Sequence, residues 1–382
     1  MDPENVTAFV IGDPHFKEEQ IRESEEMAEK CAELIEKLKP SFVVILGDTL
    51  HKHEIADNAP FVSVYYFIER ITKTAPVYIL IGNHDYINAN QFLSDRHFFL
   101  PYKKWKYVTV VDKPILLEYE NFSFAMCPYV PPGRFKEALD QLLKEGSMWD
   151  MVDCIFAHQE FKGCSYGGIK SEKGDEWDEN FPPVISGHIH DAETIGNNIF
   201  YTGTPRQHSF GESPNKKVWH VSFGYEEKPP FFKVDKYSLN MKKRKIVRMN
   251  TSKIDNLDIE DLQNYHTKLV LIGSSTENKM FRESSIYTKL NDMGVVMSLE
   301  SNTKLVKEKR SREGVSFENV LCEVIKNKPP NVADAFIELY PEERSKFTTT
   351  EIIFDNNVSD DDEIIIEDYE SEDDTEDSEE DN

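Results

Sequence analysis

The side chains able to do chemistry recur in one kind of place. In five segments an apolar run stops and a metal-competent side chain follows. Asp13 and His15 come after "TAFVIG", Asp48 after "SFVVILG" and Asn83 after "VYILIG". His158 closes "MVDCIFAH", and His188 with His190 follow "PPVISG". Side chains two apart in an extended segment share a face, so Asp13 and His15 can reach one ion together. His188 and His190 have the same spacing, although a turn could send them to two different ions. Asn83 is a poor base and a weak ligand alone. Its place in Gly82-Asn83-His84-Asp85 makes sense only where other donors converge. One such strand end is commonly a turn or a hydrogen-bonded histidine; the succession of five, in order, points to a shared site.

The elements that must position these donors alternate along the first half of the chain. Short β-rich runs at "TAFVIGD", "SFVVILGD" and "VYILIGNHD" are separated by two helical patterns. The first spans residues 17 to 38, with Ile21, Met27, Cys31, Leu34 and Leu38 among its apolar positions; the second spans about 58 to 73. This rhythm predicts α/β layering, and in layered folds ligand sites form beyond the carboxyl ends of the strands. Further strands are expected at "FSFAMCPY", "MVDCIFAHQ" and "PPVISGHIH", then at "NNIFYTGTP", "VWHVSFGY", "PFFKVDKYSL" and "KRKIVRM". From about residue 251 the pattern changes to a small α+β region: strands at "TKLVLIGSS" and "GVVMSLES", and helices at "ENKMFRESSIYTKLNDM", "FENVLCEVIKN" and "VADAFIELY". The expected division is 1–250, 251–354 as a small capping or partner-docking domain, and 355–382 as a tail.

Composition narrows the class. The 382 residues allow two domains, and 39% hydrophobic residues suit a globular chain. No apolar run reaches the roughly 20 residues that span a bilayer, so no membrane partner is expected. The N-terminus lacks the charge and apolar stretch of a signal peptide, which predicts an intracellular protein. The 5 cysteines form no C-x-x-C pair, and reduced thiols are expected. Net charge is −26, but residues 355 to 382 carry 16 acidic and no basic residues, leaving −10 for the rest. A block of like charge this dense is expected to be disordered, serving to solubilise the chain, to dock a partner or to mimic DNA.

The set "GDPH", "GDTLH", "GNHD", "AHQ", "GHIH" resembles the calcineurin-like metallophosphoesterase superfamily over about the first two hundred residues. The resemblance implies an α+β fold, a four-layer αββα sandwich, with two divalent metal ions. It implies one metal on Asp13, His15, Asp48 and His190, and a second on Asp48, Asn83, His158 and His188, Asp48 bridging. Mixed oxygen and nitrogen donors suit Mn²⁺, Fe or Zn²⁺ better than Ca²⁺ or Mg²⁺, with Mn²⁺ the first choice. His84 is then expected to protonate the leaving oxygen or stabilise the transition state, with Asp85 orienting it.

Within that superfamily, "GDTLHKHE" and "GNHD" differ from the GDxVDRG and GNHE of its protein phosphatases. His51, three residues after Asp48, resembles the Mre-eleven DNA repair nucleases, whose bacterial SbcD-type relatives commonly carry Asp there, and is a candidate for holding substrate phosphate or aiding strand rotation. His53 has no comparable claim. "YTGTPRQHSFGE" resembles the loop that follows GHxH in SbcD-type nucleases, so Arg206, Gln207 and His208 are candidates for phosphate or sugar contact. The resemblance implies a metal-dependent exonuclease and single-strand endonuclease of double-strand break repair or recombination. Its implied partners are DNA, an SbcC-type ABC ATPase with a coiled coil, and a second copy of the chain as a homodimer; the apolar positions of "FENVLCEVIKN" could form the ATPase-docking helix or equally a core helix of the chain itself. Basic stretches at Lys103 to Lys106 (with Trp105), Lys216 with Lys217, and Lys242 to Lys245 are candidates for DNA contact. The alternatives are a phosphodiesterase for cyclic nucleotides or other small esters, and a non-catalytic scaffold for a DNA-repair ATPase.

Overall fold

The computed structural model describes residues 6–301 apart from 54, 56, 120, 145, 147 and 225–231. The helices expected at "FENVLCEVIKN" and "VADAFIELY", the ATPase-docking segment and the acidic tail lie outside the described residues, as does Cys322. The chain divides into two compact units, Met1–Ile246 with Asp258–Lys268, and Val247–Leu257 with Leu269–Asn382.

The first unit is built on two sheets. Strands β1 (Val6–Ile11), β2 (Phe42–Ile45), β3 (Val77–Leu80) and β4 (Val108–Val111) lie side by side and parallel. Helix α1 (Ile21–Leu38) crosses from β1 to β2, and α2 (Asn58–Ile71) from β2 to β3. The chain then enters the second sheet through β5 (Ile115–Tyr119), β6 (Phe122–Cys127) and β7 (Cys154–His158). A helix, α3 (Phe135–Lys144), links β6 to β7, and a short hairpin, β8 (Ser165–Tyr166) with β9 (Ile169–Lys170), follows β7. Strands β10 (Val184–Gly187), β11 (Glu193–Ile195) and β12 (Ile199–Tyr201) complete that sheet in the order β11-β12-β10-β7-β6-β5. Strands β13 (Val218–Phe223) and β14 (Phe232–Tyr237) return to the first sheet, giving β14-β13-β1-β2-β3-β4.

The strand sequences explain the layering. In β1, Ala8 and Val10 face the second sheet, while Phe9 and Ile11 face the helices; all four are fully buried. A parallel strand covered on both faces reads as a continuous apolar run rather than an alternation, as "TAFVI" and "FVVI" do. Between the sheets pack Phe42, Val44, Phe124, Phe156, Ile185 and Phe223. Outside the first sheet Met27, Cys31 and Ile35 of α1 meet Val64, Phe67 and Ile68 of α2. Outside the second, Phe135, Ala138 and Leu139 of α3 cover Ala125, Ile155 and Val184. The result is the expected helix–sheet–sheet–helix sandwich. Each fully buried large apolar side chain contributes about 1.5–3 kcal/mol. Cys31, Cys127, Cys154 and Cys164 are free thiols within these layers.

Strands β15 (Arg244–Asn250), β16 (His266–Gly273) and β17 (Val296–Ser301) form a three-stranded sheet. The stretch expected as one helix, "ENKMFRESSIYTKLNDM", is two. After the single-turn α4 (Ile259–Leu262) of the first unit, α5 (Ser275–Arg282) and α6 (Ser285–Asp292) follow. Ser274 caps α5 in a capping box with Glu277, and Ser284 caps α6 by accepting from the Tyr287 N–H. A serine cap inside an apolar periodicity restarts the helix, because its side chain satisfies N–H groups that a continuous helix would bond internally.

Candidate metal centre

The carboxyl ends of β1, β2, β3, β7 and β10 meet at one edge of the sandwich. The turn after each strand is led by a glycine where the donor belongs to the turn: Gly12, Gly47, Gly82 and Gly187. The reason is space. A Cβ on Gly82 would sit 2.2 Å from Asp48 Oδ1 and 2.3 Å from Asp48 N. The backbone also bends sharply. His15, Asp48 and His188 hold left-handed φ values of 43°, 47° and 82°. Such conformations are uncommon in non-glycine residues and persist only where surrounding structure imposes them.

The turns interlock through hydrogen bonds. The His188 N–H donates to both carboxylate oxygens of Asp13, at 2.9 and 3.1 Å. The His84 N–H donates to Asp48 Oδ1 at 2.8 Å. Each carboxylate is thus aimed by the backbone of another strand's turn. His158 Nδ1 donates to the Leu46 carbonyl at 2.8 Å, which orients the ring and turns Nε2 toward the other donors. That Nε2 lies 3.0 Å from Asn83 Oδ1 and 3.5 Å from Asp48 Oδ2. His188 Nδ1 lies 2.9 Å from the same Asn83 oxygen. On the other side of Asp48, His15 Nε2 is 3.7 Å from Asp48 Oδ2 and 3.1 Å from His190 Nε2. The seven donors named from the sequence therefore come together, with Asp48 between two groups. Asp13, His15 and Asp48, and separately Asp48, His158 and His188, each bring ligand atoms close enough for one cation.

The electrostatics follow from burial. Asp13, His15, Asp48 and His158 are all 2% exposed or less. Burial pushes the Asp13 carboxyl up to about 6. It depresses His15 well below the ordinary histidine range and His188 to about 3, so both imidazoles are neutral and available as ligands. Burial also opposes the charges on Asp48 and His158, but these two stabilise one another. Asp48 is held well below the carboxylate range, and His158, aided by Asp13, rises to about 9. A buried cluster that must store such opposed protonation states suits a site whose charge is balanced by cations.

Three histidines stand at the mouth. His84 has a side chain 29% exposed, against 0–1% for His158 and His15. Its Nδ1 donates to the His51 carbonyl at 2.6 Å, and its Nε2 lies 3.9 Å from Asp48 Oδ2. His51 Nδ1 is 3.3 Å from His15 Nδ1, and burial together with the Lys17 charge lowers it to about 4. His53, which had no claim from sequence, stacks on His84 with ring centroids 4.5 Å apart. The i, i+2 spacing of His51 and His53 was the only signal, and it says nothing of a ring contributed by a different turn.

Two expectations are corrected. Asp85 does not orient His84. It is fully buried and accepts from the N–H groups of Gly82 (2.9 Å), Leu50 (3.1 Å) and Thr49 (3.3 Å), pinning the turns after β2 and β3 to each other. Arg206, Gln207 and His208 are 2%, 7% and 6% exposed and brace the cluster from behind. Arg206 donates to Gln20 Oε1 at 2.6 Å and to Ser24 Oγ at 3.1 Å. The Gln207 amide takes the Arg244 N–H and gives to the Glu212 carbonyl. His208 Nε2 lies 3.1 Å from the Asp13 carbonyl. These contacts turn all three onto the protein behind the cluster rather than toward its open side. Glu212 was missed: its carboxylate sits 3.0 Å from His190 Nδ1 and also pairs with Lys216. Sequence distance hides such carboxylate–histidine pairs.

The basic stretches are partly spent on the protein itself. Lys103 pairs with Asp112, and Trp105 packs on Tyr102 and Tyr65, at centroid distances of 4.9 and 5.0 Å. Arg244 pairs with Glu23 and Lys245 with Asp261. Among the described residues no helix is long and apolar enough to cross a membrane.

The family model for calcineurin-like phosphoesterases matches residues 6–192. The 244L protein of Invertebrate iridescent virus 6, named only as a candidate phosphoesterase, is 38% identical over 74% of this chain and 99% of its own length. The similarly named 078R protein of Invertebrate iridescent virus 3 is 34% identical over 87% of this chain and 94% of its own. Among solved structures, a dimetal phosphatase from Danio rerio superposes with a TM-score of 0.39 at 13% identity, over 61% of this chain and 99% of that one.

Proposed function

The chain belongs to the calcineurin-like phosphoesterase family, and from that premise we propose that it is a divalent-metal-dependent nuclease cutting DNA phosphodiesters in double-strand break repair or recombination. The observation that carries the reading is the joint arrangement of a seven-donor cluster and two histidines, His51 and His84, on its open side. Asp13, His15, Asp48 and His190 would hold one cation, and Asp48, Asn83, His158 and His188 the other. The donor set fits: four imidazoles, an amide oxygen and two carboxylates converge, with neighbouring ligand atoms 2.9 Å apart between His188 and Asn83 and 3.7 Å apart between His15 and Asp48. Cations held there supply Lewis-acid polarisation of phosphoryl oxygens and acidify the water nucleophile. Mn²⁺ is the first choice for this mixture of ligands.

The chain's own residues do the remainder. His84 keeps a proton on Nδ1 for the His51 carbonyl, so the proton it can give away is the one on Nε2, the nitrogen facing the cluster. That suits protonation of a leaving sugar oxygen, which departs poorly as an alkoxide. His51, neutral at physiological pH, can hold a non-bridging phosphate oxygen without competing as a cation. His53 fixes the plane of the His84 ring. A diester carries one negative charge and needs proton donation to its leaving group, which matches this pair.

A second reading is a phosphodiesterase for small esters such as cyclic nucleotides. It is favoured by a recess of about 560 Å³ beside the cluster, lined by Lys17, Glu19, His51, Lys52 and His53. Its volume falls in the ~300–1,000 Å³ range of sites that enclose whole small ligands. One assay with Mn²⁺ separates the two: end-labelled duplex and single-stranded DNA, bis-p-nitrophenyl phosphate and a cyclic nucleotide, with wild type and His84→Ala. DNA cleavage lost in the variant supports the nuclease. Turnover of the cyclic nucleotide with intact DNA refutes it.

A further inference from the structure

A second recess, of about 270 Å³, lies in the first unit on the side of the cluster held by Arg206 and Lys216. Two segments that are far apart in sequence form it: the loop around residues 205–217 and the turn between β14 and β15, residues 238–243. Five of its twelve lining residues are Arg or Lys, and none is Asp or Glu. In a chain of net charge −26 that is a marked local excess. The five divide by position. Arg206 and Lys216 are buried at 2% and 7% and form its wall. Lys216 is paired with Asp191 and Glu212, and Arg206 with Glu23, but Arg206 Nε has no hydrogen-bond partner among the described residues. Lys217 is half-buried, Lys242 and Lys243 are exposed, and no ion pair of these three occurs among the described residues. The recess also shares a wall with the metal cluster, because Lys216 Nζ donates to the His190 carbonyl at 2.7 Å.

The geometry points to a second phosphate-binding site, for a backbone phosphate of the nucleic-acid strand away from the bond being cut, held by Lys217, Lys242 and Lys243. This deepens the nuclease reading and rests on it. Size argues for a polymer. The recess is smaller than the ~300–1,000 Å³ of sites that enclose a whole ligand, and so suits one charged group of a longer chain. Charge argues for phosphate, since unpaired lysines around a concave surface with further cations in its wall concentrate anions. The buried pairs hold the wall rigid, while the free lysines keep their charge for the ligand. Sequence showed two unrelated basic runs; the fold makes one site of parts of both.

The test uses the full-length, Mn²⁺-loaded protein and the triple variant Lys217→Gln, Lys242→Gln, Lys243→Gln. A control triple variant, Lys37→Gln, Lys73→Gln, Lys113→Gln, removes the same charge from exposed positions elsewhere in the first unit. Binding of a short phosphorothioate oligonucleotide is measured by fluorescence anisotropy over a salt series, and cleavage of a DNA oligonucleotide is compared with that of bis-p-nitrophenyl phosphate. Relative to the control, the recess variant is expected to bind about tenfold more weakly at low salt, with a log–log salt slope shallower by about 1 per lost phosphate contact. The ratio of oligonucleotide to small-ester rate should fall in proportion. Oligonucleotide binding equal to the control overturns the inference. So does an equal loss on both substrates, which would place these lysines in service of the metal cluster. Inorganic phosphate is titrated as a further arm: if it stabilises wild type and not the recess variant while oligonucleotide binding is unchanged, the recess holds free phosphate and the polymer assignment fails. Failure of the nuclease reading looks different: wild type would bind the oligonucleotide through the recess and leave DNA uncut.

Discussion

Replacing Asp85 by Asn tests the internal logic of the site most directly. Asp85 is fully buried, and its two oxygens accept three backbone N–H groups, from Gly82, Leu50 and Thr49. Asn keeps the shape but turns one oxygen into an N–H₂ donor. Whichever way the amide is set, at least one backbone N–H then faces another donor. A buried donor left unsatisfied costs about 1–3 kcal/mol. Some of that is returned, because burial and the Asp48 charge push the Asp85 carboxyl up to about 7 and make its ionised form unfavourable. The expected net loss is about 1–2 kcal/mol in urea denaturation. The catalytic effect should exceed what that loss alone would bring. Asp85 ties the turn carrying Asn83 and His84 to the turn carrying Asp48 and His51, and a displacement of about 1 Å at such groups costs roughly 10²-fold in rate. The assay is bis-p-nitrophenyl phosphate hydrolysis with saturating Mn²⁺, read as kcat and KM across pH, alongside the urea midpoint. A variant as stable as wild type, with only the acidic or basic limb of its pH profile shifted, would refute the reasoning. It would return Asp85 to the role of a direct partner of His84.

Other outcomes follow from the same geometry. His84→Gln should lower kcat on DNA by about 10²–10⁴-fold, and by much less on p-nitrophenyl esters, whose leaving group departs without a proton; equal losses on both would remove its role as acid. Gly82→Ala places a methyl group against Asp48 atoms at 2.2 and 2.3 Å, and should cost about 1–3 kcal/mol of stability with loss of metal-dependent activity; calorimetry and metal titration read both. Chelation should abolish hydrolysis and lower the unfolding temperature, with Mn²⁺ at 100-fold over its Kd restoring about 2.7 kcal/mol. Asp112→Asn should destabilise at neutral pH, because Asp112, though buried, is held below the usual carboxylate range by His97 (3.1 Å) and Lys103. A depressed carboxyl stabilises above its unfolded value near 3.8 and loses that contribution as pH falls through its folded value. The difference in urea midpoint between Asp112→Asn and wild type should therefore be present at pH 7 and shrink below about pH 4.

Local sequence determined where the strands end and which donors follow them. The strand runs are written as unbroken apolar stretches because parallel strands are covered on both faces, and that signal survives without any partner in view. Four of the donors after them, Asp13, Asp48, Asn83 and His188, are legible for a related reason: each directly follows a glycine that the crowded turn demands. The Ser284 cap was also present in the letters, and the long apolar periodicity concealed it. What tertiary structure alone decided is which groups meet. Nothing near Asp85 in sequence says that its carboxylate will take N–H groups from residues 49 and 50, or that Glu212 will reach His190 and His53 will lie on His84. Arg206 and His208 resembled phosphate contacts, yet packing turned them inward onto Gln20, Ser24 and the Asp13 carbonyl. The physical reason is common to all of these. Residue type and spacing fix what a side chain can do and which way its own strand points it, but a hydrogen bond between separate turns depends on how two sheets stack, and that is set by the apolar layers between them rather than by the polar residues that benefit.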